Sequence, residues 1–199
     1  TLDNTILNQF TVGALPDMVT FTNDGNLIIS ANEGEPNDDY DIDPVGSVTV
    51  IDVSDTASLT TTQVGFTAFN SQMATLEANG VRIFGPGATV AQDLEPEYIA
   101  VSGDDSTATI VMQENNAVAT LDLSTNTITG IHALGFKDYS TLSLDLSDRD
   151  GGVNFQSWDN VKGMYQPDAM TSFVASDGVT YYGSANEGDA RDYDGYSEE

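Results

Sequence analysis

A segment that recurs three times along the chain constrains the fold more than any other feature of the sequence. Each copy opens with a proline followed by an acid and runs on as an alternating, strand-like stretch; the openings are Pro16-Asp17, Pro96-Glu97 and Pro167-Asp168. A second acid follows these prolines after 17, 18 and 20 residues, at Glu33, Glu114 and Glu187. Because such a unit cannot bury its apolar face alone, repeats of this kind stack in a propeller or a solenoid.

The strand pattern inside each copy favours the propeller. Alternating apolar and β-branched residues between Gly, Asn and Asp turns predict four antiparallel strands in each of the first two copies and two in the third. We therefore predict an all-β fold, a β-propeller represented by about two and a half four-stranded blades with long acidic loops. The prolines lie 80 and 71 residues apart, more than the roughly 40 to 50 residues of a plain blade, so each unit carries an insertion.

The repeat divides the chain into six predicted segments. They are an outer strand of the blade that closes the ring (1–14), a first blade (15–69), an insertion (70–94), a second blade (95–136), an insertion (137–165) and the start of a third blade (166–199). Within them, residues 5–12 are the predicted outer strand, and residues 70–79 have the spacing of a short amphipathic helix. Since propellers have four to eight blades, we expect an N-terminal part of a longer protein, whose remaining blades are its first partner.

The charge of the chain excludes several classes of partner. Thirty-two acids and five bases leave a net charge of −27, whereas nucleic acids and anionic membranes require a cationic surface. The charge favours divalent cations and a saline or calcium-rich exterior, although acidic surfaces also serve solubility alone. Cysteine is absent, which excludes disulfides and thiolate sites. No run of 18 apolar residues and no signal peptide occur, so we expect no direct membrane insertion of this segment.

The six repeat acids are the first candidate metal ligands. In a propeller they would surround one mouth of the central channel, where mutual repulsion raises their pKa values unless a cation is bound. Calcium accepts six to eight oxygen ligands, and the amides of Asn32 and Asn186 could add two. We predict calcium, or another divalent metal, at these six acids: Asp17, Glu33, Glu97, Glu114, Asp168 and Glu187. The alternative is that they cap turns and accept backbone hydrogen bonds between blades.

Three loops carry alternating acids that resemble the start of a calcium-binding loop. Pro44 occupies the sixth position of the first loop, where an EF-hand requires glycine, so the match is partial. We predict calcium in at least one of these loops, with Asx-turns as the alternative. The candidate ligands are Asp39, Asp41 and Asp43 in the first and Asp189, Asp192 and Asp194 in the last; the middle loop carries Asp145, Asp148 and Asp150.

The few basic residues bear on possible catalysis. Arginine suits carboxylate or phosphate recognition, so Arg82, Arg149 and Arg191 are possible anion-binding residues, with internal ion pairs as the favoured alternative. The lone His132 has neither a second histidine for a zinc pair nor a serine in a nucleophile-elbow context. No catalytic constellation is identifiable, and the question of an enzymatic activity stays open.

Several motifs together resemble one known family. They are residues 13–18, 31–36, 80–87, 113–117, 147–151, 162–168 and 185–193. This set resembles the choice-of-anchor I family, which is similar to mesenchyme-specific cell surface glycoproteins associated with biomineralisation. The resemblance spans almost the whole chain and implies a secreted or surface-anchored β-propeller of roughly twice this length or more, labelled alkaline phosphatase-like in some bacteria. It supplies no catalytic residues.

Three functions follow as hypotheses. The first is an extracellular or cell-surface calcium-binding β-propeller that acts as a binding or adhesion module. The second is a metal-dependent phosphoesterase, in which carboxylates hold the metal and the arginines hold the phosphate. The third is an acidic component of a biomineral or polysaccharide matrix, whose acids bind calcium collectively and weakly. Surface glycan, mineral and phosphoester ligands are the corresponding candidate partners.

Overall fold

A computed structural model describes residues 3 and 5–198. The first sheet contains strands β1 (Pro16–Phe21), β2 (Leu27–Asn32), β3 (Ser47–Asp52) and β4 (Thr60–Gly65). The second contains β5 (Ile99–Val101), β6 (Thr107–Met112), β7 (Ala117–Asp122) and β8 (Thr127–Ala133). Three strand pairs follow: β9 (Phe136–Asp138) with β10 (Lys162–Met164), β11 (Pro167–Val174) with β12 (Thr180–Asn186), and β13 (Asp192–Tyr193) with β14 (Tyr196–Ser197).

The predicted all-β, blade-like architecture is confirmed. Both four-stranded sheets are antiparallel, and in each the spatial order of the strands follows the chain. The first strands of the three repeats lie together, because β1 and β11 both contact β5. The β11–β12 pair occupies the place in the third repeat that β1–β2 and β5–β6 occupy in the others. Residues 1, 2, 4 and 199, which belong to the predicted first and last segments, lie outside the described part.

The core lies between the sheets. One continuous cluster joins the two four-stranded sheets and includes the fully buried Ile29, Val48, Phe66, Ile110 and Leu121. A smaller cluster of Ala100, Val111 and Met170 joins the second sheet to β11. Burial alternates along β7, as expected for a strand with one face in the core. Each sheet therefore buries its apolar face against the next repeat, as the repeat predicted.

The connections agree with the prediction in part. The predicted helix at 70–79 is confirmed as a 3₁₀ turn (Thr67–Gln72) followed by α1 (Met73–Ala78). The insertions also contain the β9–β10 pair and the four-residue helix α2 (Val90–Asp93), which were not predicted. No described helix is both long and apolar enough to pass through a membrane.

The predicted outer strand at residues 5–12 is not formed within the described part of the chain. These residues have no regular secondary structure, and Ile6 and Leu7 are 81% and 72% exposed. A strand requires a neighbour that pairs with its backbone N–H and C=O groups, and none of the described strands pairs with this segment. Its role in a closing blade stays a prediction.

The first two repeats are joined by an acid at the tip of a turn. Asp105 follows β5, and its carboxylate accepts hydrogen bonds from the backbone N–H groups of Asn23 (2.8 Å) and Asp24 (3.0 Å) and from the Asn23 amide (2.7 Å). Its φ of 57° is left-handed, and Gly25 and Gly178 have φ of 74° and 79° at the equivalent turn positions of the other repeats. Asp105 thus stands where glycine fits best, and its side chain links two blades.

Replacing Asp105 with alanine is expected to destabilise the protein more than replacing it with glycine. Both changes remove the inter-blade hydrogen bonds, but glycine also relieves the left-handed conformation, which costs about 1 kcal/mol for a residue with Cβ. We expect Asp105→Ala to be about 1 kcal/mol less stable than Asp105→Gly in urea unfolding. Equal stability of the two variants would show that the backbone at this turn is not constrained.

Candidate functional site

The first and third repeats share a bulged opening that positions their first acids. Pro16 pairs with Asn32 across β1 and β2, and the register shifts before the next pair at Val19. Pro167 pairs with Asn186 in the same way, and the register again shifts behind the proline. The acid after each proline lies in this irregular step rather than in the regular ladder. The bulge therefore places the first acid at the same end of the inner strand in both repeats, β1 and β11.

Five of the six repeat acids form one electrostatic group, which we call the central acid cluster: Asp17, Glu33, Glu97, Glu114 and Asp168. Burial raises the pKa of Glu33 to about 8, and the charges of Glu35, Asp17 and Glu114 contribute to the rise. Burial also raises the pKa of Asp17, with a further contribution from Asp168. Asp17 and Asp168, which are 151 residues apart in sequence, therefore interact electrostatically at the starts of β1 and β11, the two strands that contact β5.

Glu97 interacts with every other member of the central acid cluster. Burial raises its pKa to about 9, and the charges of Glu114, Asp168, Glu33 and Asp17 add to the rise in that order. Its Oε2 atom is buried and, within the described part of the chain, has no hydrogen-bond partner. The carboxylate of Glu97 is thus half-buried and has like charges around it, which disfavours its ionised form.

The cluster does not form a compact metal cage. Across residues 3 and 5–198, no three His, Cys, Asp or Glu side chains are grouped closely enough to hold one metal ion. The predicted amide ligand Asn32 is used inside the first blade: its Oδ1 accepts from Ser30 Oγ (3.1 Å), and its Nδ2 donates to Thr49 Oγ1 (3.0 Å) and to the backbone of Ser47 (3.2 Å). Any ion at the cluster would therefore need water or backbone oxygens to complete its coordination shell.

The other predicted ligands are not members of the central acid cluster, although the charge of Asp189 contributes to the raised pKa of Glu114, which is due mainly to burial. Glu187 is exposed and lines a cavity with Lys137 and Tyr139. The predicted loop ligands Asp39, Asp41, Asp189, Asp192 and Asp194 are also exposed, and Asp41 accepts a hydrogen bond from Asn37 Nδ2 (2.8 Å). Burial raises the pKa of Asp43, with an opposing effect of Arg191. Calcium in these loops stays a prediction.

Arg191 is held at the centre of an internal ion-pair network. Its side chain is 1% exposed, and its Nη1 and Nη2 atoms lie 2.8 Å from Asp93 Oδ1 and 2.9 Å from Glu95 Oε2. The Nη2 atom also donates to the backbone oxygen of Asp93 (2.7 Å). These carboxylates raise the pKa of Arg191, although burial opposes the rise. We call Arg191, Asp93 and Glu95 the arginine clasp.

The remaining candidate anion-binding arginines differ in their surroundings. Arg82 pairs with Glu198, and its Nη1 donates to the backbone oxygen of Glu114 (2.6 Å). Arg149 is 93% exposed and lies 3.9 Å from Asp148. Internal ion pairing, the favoured alternative from the sequence, therefore describes the buried Arg191 and the half-buried Arg82. Anion binding by these residues stays a prediction, with Arg149 the most accessible.

The arginine clasp joins distant loops at the same end of the molecule as the central acid cluster. Phe84 contacts the guanidinium groups of both Arg82 (4.1 Å) and Arg191 (4.4 Å), and Tyr40 packs edge-to-face against Tyr193 and Tyr196. The charge of Arg191 also lowers the pKa of Glu114, against the larger effect of burial. The sequence did not indicate Asp93 or Glu95; the one available signal was the scarcity of bases, which predicted a specific partner for each.

The amino-acid sequence of the whole chain resembles one known domain family. The sequence profile of the choice-of-anchor I domain matches residues 1–199. A mesenchyme-specific cell surface glycoprotein of Strongylocentrotus purpuratus is 32% identical in an alignment of 149 positions, which covers 70% of this chain and 19% of that protein's length. Among solved structures, the hydrazine synthase of Kuenenia stuttgartiensis superposes with a TM-score of 0.40 and 16% identity, over 88% of this chain and 44% of that chain.

Proposed function

The chain belongs to the choice-of-anchor I family, and on that premise we propose that it is a cell-surface binding module whose central acid cluster binds divalent cations, calcium above all. The cell-surface location is supported by the relative, which is named a cell surface glycoprotein. The cation is supported by one observation: carboxylates at equivalent positions of three repeats lie close enough for their charges to raise the pKa values of Asp17, Glu33 and Glu97. A hard divalent cation with oxygen ligands relieves the repulsion among them.

The mode of binding that fits best is collective and weak. A tight calcium site needs several carboxylates around one ion, and none of the described residues form a group of three. Glu97 Oε2 is a buried oxygen with no described hydrogen-bond partner, which suits a water-mediated or monodentate contact. This mode resembles the weak calcium binding of an acidic matrix protein more than a calcium cage. The surface-module and matrix-protein hypotheses therefore depend on the same property, which is weak binding of calcium by several carboxylates.

A phosphoesterase is the weaker alternative. In the form predicted from the sequence an arginine holds the phosphate, but Arg191 and Arg82 are committed to internal carboxylates. Turnover of a chromogenic phosphate ester with several divalent metals, measured against a chelated control, tests this alternative directly. Activity that disappears in Arg149→Met would support it.

Calcium is expected to bind with release of protons at pH 8 and to raise the melting temperature. One-site binding to the folded state stabilises it by about 2.7 kcal/mol when free calcium is about 100 times Kd. Calorimetry in two buffers of different ionisation enthalpy measures both the binding and the proton release. The double variant Glu33→Gln, Glu97→Gln should lose most of the effect, whereas Glu77→Gln, which alters an exposed acid on α1, should retain it. No heat and no thermal shift with the unmodified chain would contradict the proposal.

A further inference from the structure

A cavity separate from the central acid cluster lies beside the β9–β10 pair and the end of β12. Its volume is about 260 Å³, near the lower limit for sites that take small molecules. The side chains that line it are Lys137, Tyr139, Met164, Tyr165, Asn186 and Glu187. Aromatic rings, an amide and charges of both signs thus surround a space that suits a single small polar ligand.

The Tyr139 ring lies close to the β10 backbone at this cavity, and the absence of a side chain at Gly163 permits that approach. A Cβ atom at Gly163 would lie 2.9 Å from Cε2 of Tyr139, closer than atoms of this kind approach. The tyrosine ring therefore covers the β10 backbone at Gly163, which pairs with Lys137 of β9. Since Tyr139 lines the cavity and Gly163 does not, the ring forms an apolar wall between Gly163 and the cavity.

The polar groups around the ring have capacity to bind a ligand. Lys137 Nζ lies 5.4 Å from the centroid of the Tyr139 ring, and it forms no ion pair with any described residue, although the chain has 32 acids. Glu187 follows the last residue of β12 and is exposed. Its only described hydrogen bond is the one that its backbone N–H donates to the backbone oxygen of Gln166. A donor, an acceptor and an aromatic ring thus line the same cavity.

We propose that this cavity binds a neutral sugar unit of a glycan. A sugar hydroxyl both donates and accepts, so one sugar can donate to Glu187 and accept from Lys137, while its C–H face packs on Tyr139. An anionic ligand would face the Glu187 carboxylate and the net charge of −27, and a cationic ligand would face Lys137. The site uses no member of the central acid cluster, so sugar binding does not depend on calcium.

Ligand-detected saturation-transfer NMR with glucose, galactose, mannose and N-acetylglucosamine tests the proposal, with a chelator present so that calcium plays no part. We expect at least one sugar to bind and Tyr139→Ala to weaken that binding by about tenfold, the value of a good aromatic contact. Gly163→Ala should weaken it similarly, because the added Cβ displaces the ring while every polar group remains. Tyr181→Ala, which removes an exposed tyrosine stacked on Phe173, should leave binding unchanged.

The remaining outcomes overturn the proposal. Binding of no sugar in the panel would do so, as would binding that is insensitive to both Tyr139→Ala and Gly163→Ala. Glucuronate that binds more tightly than glucose and is lost in Lys137→Gln would identify an anion site instead. Circular dichroism of each variant establishes that it is folded. Failure of calcium binding would leave these results unaffected, because the two sites share no residue of the cluster.

Discussion

Replacing Arg191 with methionine is expected to destabilise the protein by about 3–5 kcal/mol, the usual effect of removing one partner from a buried charge network. The substitution leaves Asp93 and Glu95, which are both 1% exposed, without their cation. Burial already raises the pKa of Glu95, and Arg191 opposes that rise. We take Glu95 as ionised in the folded protein, since its Oε2 accepts from both Nη2 (2.9 Å) and Nε (3.1 Å) of Arg191.

Urea unfolding measures this effect, because a change in midpoint at constant m-value reports stability. Arg149→Met is the matched control: its guanidinium is 93% exposed, and we expect a change within about 0.5 kcal/mol. Adding Asp93→Asn and Glu95→Gln to Arg191→Met should recover part of the loss, because buried amides cost less than unpaired buried carboxylates. An Arg191→Met protein with an unchanged midpoint would show that the clasp contributes nothing to folding.

Stability is expected to fall as the pH rises from about 5 to about 9 in the absence of divalent cations. The folded-state pKa values of Glu33 and Glu97 are raised from 4.5 to about 8 and about 9. Between those values the folded protein holds protons that the unfolded chain has lost, so the free energy of unfolding decreases with pH. The decrease ends above the folded pKa values, where both states are ionised.

The expected loss is about 1–2 kcal/mol after allowance for solvent screening of these half-buried groups. Urea unfolding at pH 5, 6.5, 8 and 9 in chelator measures it. The double variant Glu33→Gln, Glu97→Gln should have a flatter profile and exceed the unmodified protein in stability at pH 8, while Glu77→Gln should follow the unmodified profile. A profile that rises over this range would mean that the central carboxylates are paired rather than repelling one another.

These expectations depend on long-range contacts, and the sequence indicated some of them. The Pro-acid repeat predicted that acids far apart in the chain would meet at one mouth, and Asp17 and Asp168 do interact. It also predicted that Glu187 would join them, but Glu187 lines the cavity beside Lys137 instead. Sequence spacing places an acid at the end of a strand; the direction of its side chain depends on the loops packed around it.

The regular strands were the most predictable part of the fold. The alternation of apolar and polar residues follows from the two faces of a strand, so β1 to β8 could be located from local pattern. Residues 5–12 have a similar pattern but form no strand, since pairing depends on a neighbour that local sequence does not specify. The β9–β10 pair was missed for the same reason: its two strands are three residues each and are separated by a long loop.

The sequence by itself determined the stacked all-β repeat, the acidity of its loops and the position of acids at the ends of inner strands. These properties follow from local periodicity and composition. Only the tertiary structure decided that Arg191 pairs with Asp93 and Glu95, that Tyr139 lies on Gly163, and that five rather than six repeat acids interact. Each of these depends on how distant segments pack, and the free energy of a buried charge or a fixed ring is set by neighbours that are remote in sequence.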